Sequence, residues 1–391
     1  MIQRIMVENF LSFRERTTFT LAATEDQTLE EFLVRREETA GSMLRVLALI
    51  GANGAGKSNL LAVLEFLKRF WTRVPQSSDE PTGVVPFMYD PECRERPSEI
   101  KLYFCLDEVF YVYVLVADRK KVYSEGISIF YNYSPVKAVG RRVVRGAVKA
   151  TAHSLLLNPD SIRQLLLTKC LPNMSIMAVG RATGKRVDLI DEVGCWMARS
   201  VRGTDDLSPE KALPRLSCNR ALCDEVAVLA QKLGLPVTAI GEGKTLWEVP
   251  VRLKVKMDDE LKECQMTAGQ LSHGEQRLLC LVAAAIETVK EEGFLIVDHL
   301  ENYLHPAVIE ELIAYFAGQK GHSQMLIATH YDSLLDTVGD LLRNDCIAFV
   351  ERKASGVTQF QRLSNYRRTT ALRSLTRAYR NGRFGALPEI Y

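Results

Sequence analysis

The sequence of 391 residues lacks the features that mark several specialised classes of protein. Its 50 Lys and Arg residues nearly balance its 48 Asp and Glu residues, so the net charge of +2 indicates no nucleic-acid or membrane partner. No apolar run is long enough to span a bilayer, because the longest candidate, residues 103–117, contains Asp107 and Glu108. The nine cysteines include no Cys-x-x-Cys pair, which argues against a zinc module or a disulfide framework and predicts a reduced, cytoplasmic protein.

The chain is instead rich in apolar residues, at 47%, and these residues follow two kinds of periodicity. Residues 2–21 alternate between apolar and polar, with a turn near residues 9–14, which predicts an opening hairpin rather than a signal peptide. Leu44–Ile50 is a continuous apolar run typical of a buried central strand, and helical spacing follows at residues 59–70. Strands and helices alternate again after residue 265, so both ends of the chain predict an α/β nucleotide-binding core.

Changes of pattern divide the chain into three predicted segments. Between the two ends lie a proline-rich stretch at 71–98, a strand-like stretch at 100–130, a basic and irregular stretch at 135–150, and a mostly helical stretch at 154–235. We therefore predict half of the α/β core at 1–135, an inserted and mainly helical lobe at 136–264, and the other half at 265–391.

A glycine-rich loop from Gly51 to Ser58, called the phosphate loop below, fits the pattern G-x-x-x-x-G-K-[ST] at every fixed position. In this pattern the glycines let backbone N–H groups turn towards phosphate oxygens, the lysine reaches the β- and γ-phosphates, and the hydroxyl binds Mg²⁺. The start of the following helix adds a favourable dipole. The motif predicts ATP with Mg²⁺ as the ligand. The predicted binding residues are Gly51, Asn53, Gly54, Gly56, Lys57, Ser58 and Asn59.

Two downstream stretches carry further candidate residues. The apolar stretch Phe294–Asp298 ends in an acid that can hold Mg²⁺ beside Ser58. Upstream, Ser272, Gly274 and Glu275 lie where a helix is predicted to begin, and the free N–H groups there favour an anion. The same stretch also fits a Ser-x-x-Glu capping box, and both interpretations can hold at once.

The order of these motifs resembles the ATPase heads of the ABC/SMC group. Ser272, Gly274 and Glu275 match the signature motif of that group, Asp298 its Walker B acid, residues 301–306 its D-loop and His330 its switch histidine. The opening residues 9–13, Asn-Phe-Leu-Ser-Phe, resemble the RecF-like and SMC-like branch. A closer resemblance is to AAA-family ATPases of bacterial phage-defence loci; it is carried by Pro86-Phe87, Leu304-His305-Pro306 and the stretch Ala378–Pro388.

This resemblance implies a fold, a mechanism and partners. The fold is an ABC-type P-loop ATPase head with an N-terminal antiparallel hairpin and an inserted lobe. One ATP is sandwiched between two subunits, with Ser272 and Gly274 of one subunit meeting the γ-phosphate held by the other. The chain would then form a dimer or a higher oligomer and control a separate effector, plausibly a nuclease, in anti-phage defence. The alternatives are a RecF-like DNA-repair ATPase and an ATP-gated scaffold with negligible hydrolysis.

The sequence departs from the family pattern at His299, where the family normally has the glutamate that orients the attacking water. Imidazole can accept a proton but offers one acceptor nitrogen. His299 therefore either serves as a less efficient base or marks a site in which hydrolysis is slow, and we favour slow turnover. His330 is predicted to contact the γ-phosphate, whereas His305 beside Pro306 is predicted to be a structural helix cap.

Two basic stretches could contact DNA through phosphates. We interpret the first as an ordinary solvated face; it comprises Lys137, Arg141, Arg142, Arg145 and Lys149. The second lies in the tail, where aromatic residues interleave with arginines, and it predicts a docking surface for a partner protein or DNA. Its members are Arg367, Arg368, Arg373, Arg377, Arg380 and Arg383 with Tyr366, Tyr379 and Phe384.

Overall fold

Two large β-sheets and ten α-helices make up most of the part of the chain that the computed structural model describes, which is residues 1–34, 41–131, 134–154, 156–257, 260–369 and 372–388. The strands are β1 (Ile2–Glu8), β2 (Thr17–Thr20), β3 (Leu33–Val34), β4 (Met43–Leu44), β5 (Val46–Ile50), β6 (Ser98–Leu106), β7 (Val109–Ala117), β8 (Val122–Tyr131), β9 (Ser134–Val144), β10 (Ala147–Ala152), β11 (Val201–Arg202), β12 (Val237–Ile240), β13 (Pro250–Met257), β14 (Glu260–Thr267), β15 (Phe294–Asp298), β16 (Gln324–Thr329), β17 (Ile347–Arg352) and β18 (Thr358–Arg362). The helices are α1 (Lys57–Thr72), α2 (Pro91–Glu95), α3 (Pro159–Lys169), α4 (Val179–Thr183), α5 (Asp188–Ser200), α6 (Pro209–Ser217), α7 (Arg220–Lys232), α8 (His273–Lys290), α9 (Pro306–Ala317) and α10 (Leu375–Arg380).

The six-stranded sheet has the order β11-β15-β16-β5-β17-β18 and is parallel except at β18. All five residues of β5 are buried, as expected for a central strand covered on both faces. The register pairs Ile50 with Thr329 and Ala328 with Asp298. The carboxyl ends of β5, β15 and β16 therefore meet at one edge, where open α/β sheets bind ligands.

The seven-stranded sheet has the order β10-β9-β8-β7-β6-β1-β2 and is antiparallel throughout. Its β1 and β2 confirm the predicted opening hairpin. The prediction that residues 135–150 are irregular is wrong, because β9 and β10 occupy them. Their basic side chains hid the alternation: Arg141 is buried and lies 3.5 Å from the buried Glu125, whereas Arg142 and Lys149 are exposed.

A layer of aromatic side chains joins α1 and α5 to the antiparallel sheet. The rings of Trp196 and Phe104 stack with centroids 4.9 Å apart, and Trp71 meets Tyr113 edge-on at 4.6 Å. Trp71, Phe104 and Tyr113 are fully buried. Because α1 begins at the phosphate loop, this packing fixes the direction of the helix behind that loop.

The middle of the chain is mainly helical, as predicted. Five helices, α3–α7, lie between residues 159 and 232, and the three-stranded sheet β12-β13-β14 follows them. The division of the chain at residues 135 and 264 stays a prediction. No helix within the described residues is long and apolar enough to cross a membrane.

A buried ion pair ties the N-terminal loop to the start of β17. Asp345 accepts hydrogen bonds from Arg343 and from both the amide and the hydroxyl of Thr24, and Arg343 also donates to the Thr28 carbonyl. Burial alone would raise the pKa of Asp345, but these hydrogen bonds bring it below its ordinary value.

We expect Asp345→Asn to lower the free energy of unfolding by about 3–5 kcal/mol, because it leaves the buried Arg343 charge uncompensated. The lowered pKa of Asp345 means that its contribution is present above about pH 4 and is lost as the pH falls further. Denaturant unfolding of both proteins between pH 3 and 7 measures this, and the difference between them should shrink at the acidic end. A constant difference across that range would contradict the assignment.

Candidate nucleotide-binding site

The phosphate loop needs glycine for two reasons, a left-handed backbone at some positions and a lack of room for a side chain at others. Gly54 and Gly56 have φ of 74° and 102°, in the left-handed region that glycine tolerates. A Cβ on Gly56 would lie 2.0 Å from Thr358 Oγ1, and one on Gly51 would lie 2.2 Å from the Val350 carbonyl oxygen. The close approach of β17 and β18, as well as the ligand, therefore requires glycine at the two fixed positions of the motif.

Residues far away in the chain hold the loop from behind. Thr358 Oγ1 lies 2.9 Å from the Ala55 carbonyl oxygen and 2.8 Å from Ser12 Oγ. The side-chain amide of Asn59 donates to the same Ser12 Oγ at 2.7 Å. Asn59, predicted to bind nucleotide, therefore has its side chain in this supporting network. Sequence reasoning did not identify Ser12 or Thr358, since only the folded sheet brings them to the loop.

Lys57 is buried at the start of α1, with its ammonium group inside the curl of the loop. Its Nζ donates to the carbonyl oxygens of Gly51 and Ala52 at 2.8 and 3.0 Å. Burial lowers the pKa of Lys57 to about 8, while the nearby carboxylates of Glu301 and Asp298 favour its charged form. A cation is thus held where the motif predicts contact with the β- and γ-phosphates.

His330 lies directly against this lysine, at the end of β16. Lys57 Nζ is 3.1 Å from His330 Nε2 and 3.4 Å from Nδ1. The rings of His330 and His299 stack with centroids 5.4 Å apart. Burial, followed by the charge of Lys57, lowers the pKa of His330, so its imidazole is neutral at neutral pH and can accept a hydrogen bond.

Asp298 and His299 stand at the end of β15. His299 has φ of 51°, a left-handed conformation that is uncommon for a residue with a side chain. Its amide donates to Asp298 Oδ1 at 3.1 Å, and its Nε2 lies 4.0 Å from the same oxygen. The strained turn therefore sets His299 beside the acid, with 41% of its side chain exposed.

Glu301 belongs to the same cluster, which the sequence argument did not foresee. Its carboxylate accepts from Thr329 Oγ1 at 2.6 Å and from the His330 amide at 3.1 Å, and it lies 3.5 Å from His299 Nδ1. Burial alone would raise the pKa of Glu301, but the hydrogen bonds, that of Thr329 first, bring it below its ordinary value. Glu301 is thus an oriented anion that also fixes the backbone at His330.

The oxygen ligands predicted for Mg²⁺ are suited to that ion. Ser58 is exposed in the first turn of α1, and the Asp298 carboxylate is partly open at the end of β15. Among the hydrogen bonds of the described residues, that carboxylate accepts only the His299 amide. A hydroxyl and a carboxylate with open lone pairs form the donor set that Mg²⁺ takes together with phosphate oxygens and water. His299, Glu301 and His330 form a second group whose ligand atoms lie within 4.8 Å of one another.

Arg277 connects this edge to α8. Its guanidinium donates to the backbone carbonyl of Asp298 at 3.0 Å. Burial lowers the pKa of Arg277, while Cys280 and then Asp298 and Glu301 oppose the effect. The helix that carries the signature residues is therefore tied to the end of β15 within the same chain.

Ser272, Gly274 and Glu275 lie at the start of α8 and form the predicted capping box. Ser272 Oγ accepts from the Glu275 amide at 3.3 Å, and Glu275 Oε2 accepts from the Ser272 amide at 2.7 Å. A Cβ on Gly274 would lie 2.8 Å from the Tyr303 carbonyl oxygen. Ser272 is exposed, and among the described residues its hydrogen bonds stay within its own helical turn. The contact with a second subunit stays a prediction.

A protein-family model accounts for both halves of this site. The family described as "AAA domain, putative AbiEii toxin, Type IV TA system" matches residues 46–135 and 259–336. These ranges contain the phosphate loop, Ser272, Asp298 and His330. Within these two ranges the chain is similar to the AAA-type ATPases of that family. The two matched ranges are separated by the mainly helical middle of the chain.

Two solved SMC heads are similar to this chain along their length. One is the SMC head domain from Thermotoga maritima, with 14% identity, a TM-score of 0.42, and coverage of 92% of this chain and 98% of that chain. The other is an SMC head bound to the C-winged helix domain of ScpA, with 14% identity, a TM-score of 0.46, and coverage of 96% and 99%. No curated protein matches the chain.

Several other residues considered in the sequence analysis contribute to the structure and do not line the site. His305 caps α9 by accepting the Ala307 amide on Nδ1 at 3.2 Å, which confirms its predicted role. In the first basic stretch, Arg141 is buried and donates to the carbonyls of Leu171 and Met174, so it is not available to a partner. In the tail, Tyr379 and Phe384 are buried and Tyr366 is largely packed against them, so the aromatic part of the predicted docking surface is wrong. The tail arginines are exposed, and docking through them stays a prediction.

Proposed function

We propose that this chain binds ATP with Mg²⁺ at the carboxyl edge of the parallel sheet and acts as an ATPase head. We propose further that ATP then joins two copies of the chain. The observation that carries the proposal is the convergence of Lys57, Glu301 and His330, with Nζ of Lys57 3.1 Å from the His330 imidazole. A cation, an oriented anion and a neutral imidazole at one loop match the needs of a triphosphate with its metal.

Each group of the site has a distinct role in this proposal. The backbone amides of the phosphate loop and the N-terminus of α1 face the phosphates. Lys57 exchanges the carbonyls of Gly51 and Ala52 for phosphate oxygens, and Ser58 with Asp298 holds the Mg²⁺, which neutralises charge on the β- and γ-phosphates. Neutral His330 donates its one N–H to an oxygen of the γ-phosphate.

Slow hydrolysis is part of the proposal. The Glu301 carboxylate, which lies beside His299 and His330, already accepts hydrogen bonds from Thr329 and from the His330 amide. His299 is therefore left to orient the attacking water, with a single acceptor nitrogen. A head of this kind holds ATP for long periods, so its closed state persists. This favours an ATP-gated device over a fast motor.

Dimerisation follows from the position of the signature residues. Ser272 caps an 18-residue helix and lies on the surface. Its open end favours an anion, which a second copy would supply as the γ-phosphate. The extra contacts made only with ATP give the differential affinity that shifts two heads into the closed dimer.

We further propose that the ATP state of the dimer controls a toxic effector, with a nuclease as the candidate, in anti-phage defence. The description of the matching family, which names a toxin–antitoxin system, supports the link to toxicity and mentions no separate effector. The burial of Arg141 and of the tail aromatics removes part of the surface that a RecF-like DNA-repair ATPase would need. Stimulation of the ATPase rate by DNA would reverse this preference.

The exposed Trp247 beside the signature residues provides a test. Trp71 and Trp196 are at most 7% exposed, whereas Trp247 is 66% exposed and shares a groove with Gly269 and His273. We expect ATP with Mg²⁺ to double the mass of the particle in sedimentation and to shift Trp247 emission to shorter wavelength. The shift should grow with protein concentration, because dimerisation is bimolecular.

Two variants separate dimerisation from ATP binding and from loss of a helix cap. Ser272→Arg should keep ATP binding and abolish both signals, since the bulky cation blocks the γ-phosphate of the other copy. Asn219→Arg, which removes the cap of α7 instead, should leave both signals intact. A dimer that forms without ATP, or that survives Ser272→Arg, would refute the sandwich.

A further inference from the structure

The C-terminal stretch Ala378–Pro388 has no part in the chemistry proposed above, yet it touches the phosphate loop. The Ala52 amide, in the second residue of that loop, donates to the Ala386 carbonyl oxygen at 3.0 Å. The same carbonyl oxygen accepts from the Tyr379 hydroxyl at 3.0 Å. One backbone oxygen thus joins the last helix of the chain to the nucleotide site.

This contact is buried and surrounded by aromatic rings. Tyr379, Phe384 and Ala386 are exposed by 6%, 2% and 3%. The ring of Phe349 in β17 stacks on Tyr379 at 5.3 Å and on Phe384 at 4.8 Å. Since β17 pairs directly with β5, the aromatic cluster is mounted on the strand next to the one that leads into the loop.

The backbone at the contact adopts an unfavourable conformation. Gly385 has φ of 66°, which glycine tolerates, but Ala386 has φ of 59°, which a residue with a Cβ rarely adopts. Such a conformation persists only where the surroundings hold it. The two hydrogen bonds to the Ala386 carbonyl supply that hold.

We infer that Tyr379 is a positioning residue of the nucleotide site, which acts by holding the Ala386 carbonyl against the Ala52 amide. The inference rests on the proposed function as an ATP site. The loop is then fixed at two points, by Ala386 at its second residue and by Thr358 at Ala55. Between them lie the exposed residues Asn53 and Gly54, where a long hydrogen bond of 3.5 Å from the Arg352 guanidinium reaches the Gly54 carbonyl. Shaping the loop in advance lowers the ordering cost of binding.

The same aromatic cluster contains a matched control. The Tyr366 hydroxyl donates to the Phe384 carbonyl at 2.9 Å and so makes the same kind of bond to the same stretch. Among the hydrogen bonds of the described residues, the Phe384 carbonyl oxygen makes none with the phosphate loop. Tyr366→Phe and Tyr379→Phe therefore remove equivalent hydroxyl groups, and only the second loosens the Ala386 carbonyl.

The test compares the two variants with wild type in two measurements. The first is the dissociation constant for a fluorescent ATP analogue with Mg²⁺, which should rise about fivefold in Tyr379→Phe and stay unchanged in Tyr366→Phe. The second is hydrogen exchange without nucleotide, in which the Ala52 amide should exchange faster only in Tyr379→Phe. Where hydrolysis is measurable, KM should rise with kcat unchanged, because the loop holds ground state and transition state alike.

The outcomes separate this inference from the proposed function. Equal weakening by both variants would show that Tyr379 is merely structural and would overturn the inference. Unchanged affinity and unchanged exchange at Ala52 in Tyr379→Phe would also overturn it. If wild type binds no ATP analogue, the proposed function fails, whereas the hydrogen exchange of Ala52 still decides whether Tyr379 positions the loop.

Discussion

Replacing Lys57 with alanine is expected to weaken ATP binding by about a hundredfold. The ammonium group is buried at the loop, and among the described residues its hydrogen-bond contacts are carbonyl oxygens and the His330 ring, all of which phosphate oxygens can replace. Charge-assisted hydrogen bonds of this kind contribute about 1.5–3 kcal/mol, and a hundredfold loss corresponds to about 2.7 kcal/mol. Equilibrium binding of a fluorescent ATP analogue with Mg²⁺ measures the change.

Helix α1 offers a lysine that controls for loss of charge alone. Lys68 lies on the same helix and pairs with Asp206 at 2.6 Å, away from the loop. Lys68→Ala should leave the dissociation constant within about twofold of wild type, because a partly exposed ion pair contributes at most about 1 kcal/mol, mainly to stability. Equal losses from the two alanine variants would point to an unspecific effect of charge and remove Lys57 from the site.

Replacing His299 with glutamate is expected to raise the rate of ATP hydrolysis by about a hundredfold. A well-placed general base contributes typically about 10²–10⁴-fold, and a carboxylate offers two acceptor oxygens where imidazole offers one. A hydrogen bond from the His299 amide to the Asp298 carboxylate already holds the backbone in its left-handed turn. The new carboxylate would therefore start from the right position.

Single-turnover hydrolysis with enzyme in excess of ATP isolates this chemical step. His299→Gln has a side chain of similar length that cannot take a proton, and it should be no faster than wild type. The Lys57→Ala variant supplies the background rate of a head that cannot hold the phosphates. If His299→Glu brings no gain in rate, the site is not limited by its base, and slow turnover would need another cause.

The sequence predicted the strands and the helix that border the site better than the contacts between the side chains within it. The strand before the phosphate loop, the helix after it and the strand ending at Asp298 are local signals, because continuous apolar runs and helical spacing determine them within a few residues. The apolar stretch Phe294–Asp298 forms β15 and ends at the acid, as predicted. His330 was placed by resemblance, and the structure puts it against Lys57.

What the sequence could not supply depends on pairing between distant strands. Glu301 looked like a loop residue, and only the register of β15 with β16 brings it to Thr329. The basic residues of β9 hid the alternation of a strand, since a buried Arg141 breaks the rule that charge faces solvent. The tail aromatics looked suited to a partner because their target, Phe349, lies on another strand.

The hydrogen bond between Ser12 and Thr358 spans 346 residues of chain, so it forms only late in synthesis of the protein. On the ribosome, Ser12 emerges long before Thr358 exists, at roughly 5–20 residues per second. For roughly 15–60 seconds the nascent chain therefore carries a complete phosphate-loop sequence without the strand that braces it. The braced cradle belongs only to a chain synthesised past its last strands, so a truncated product would lack it.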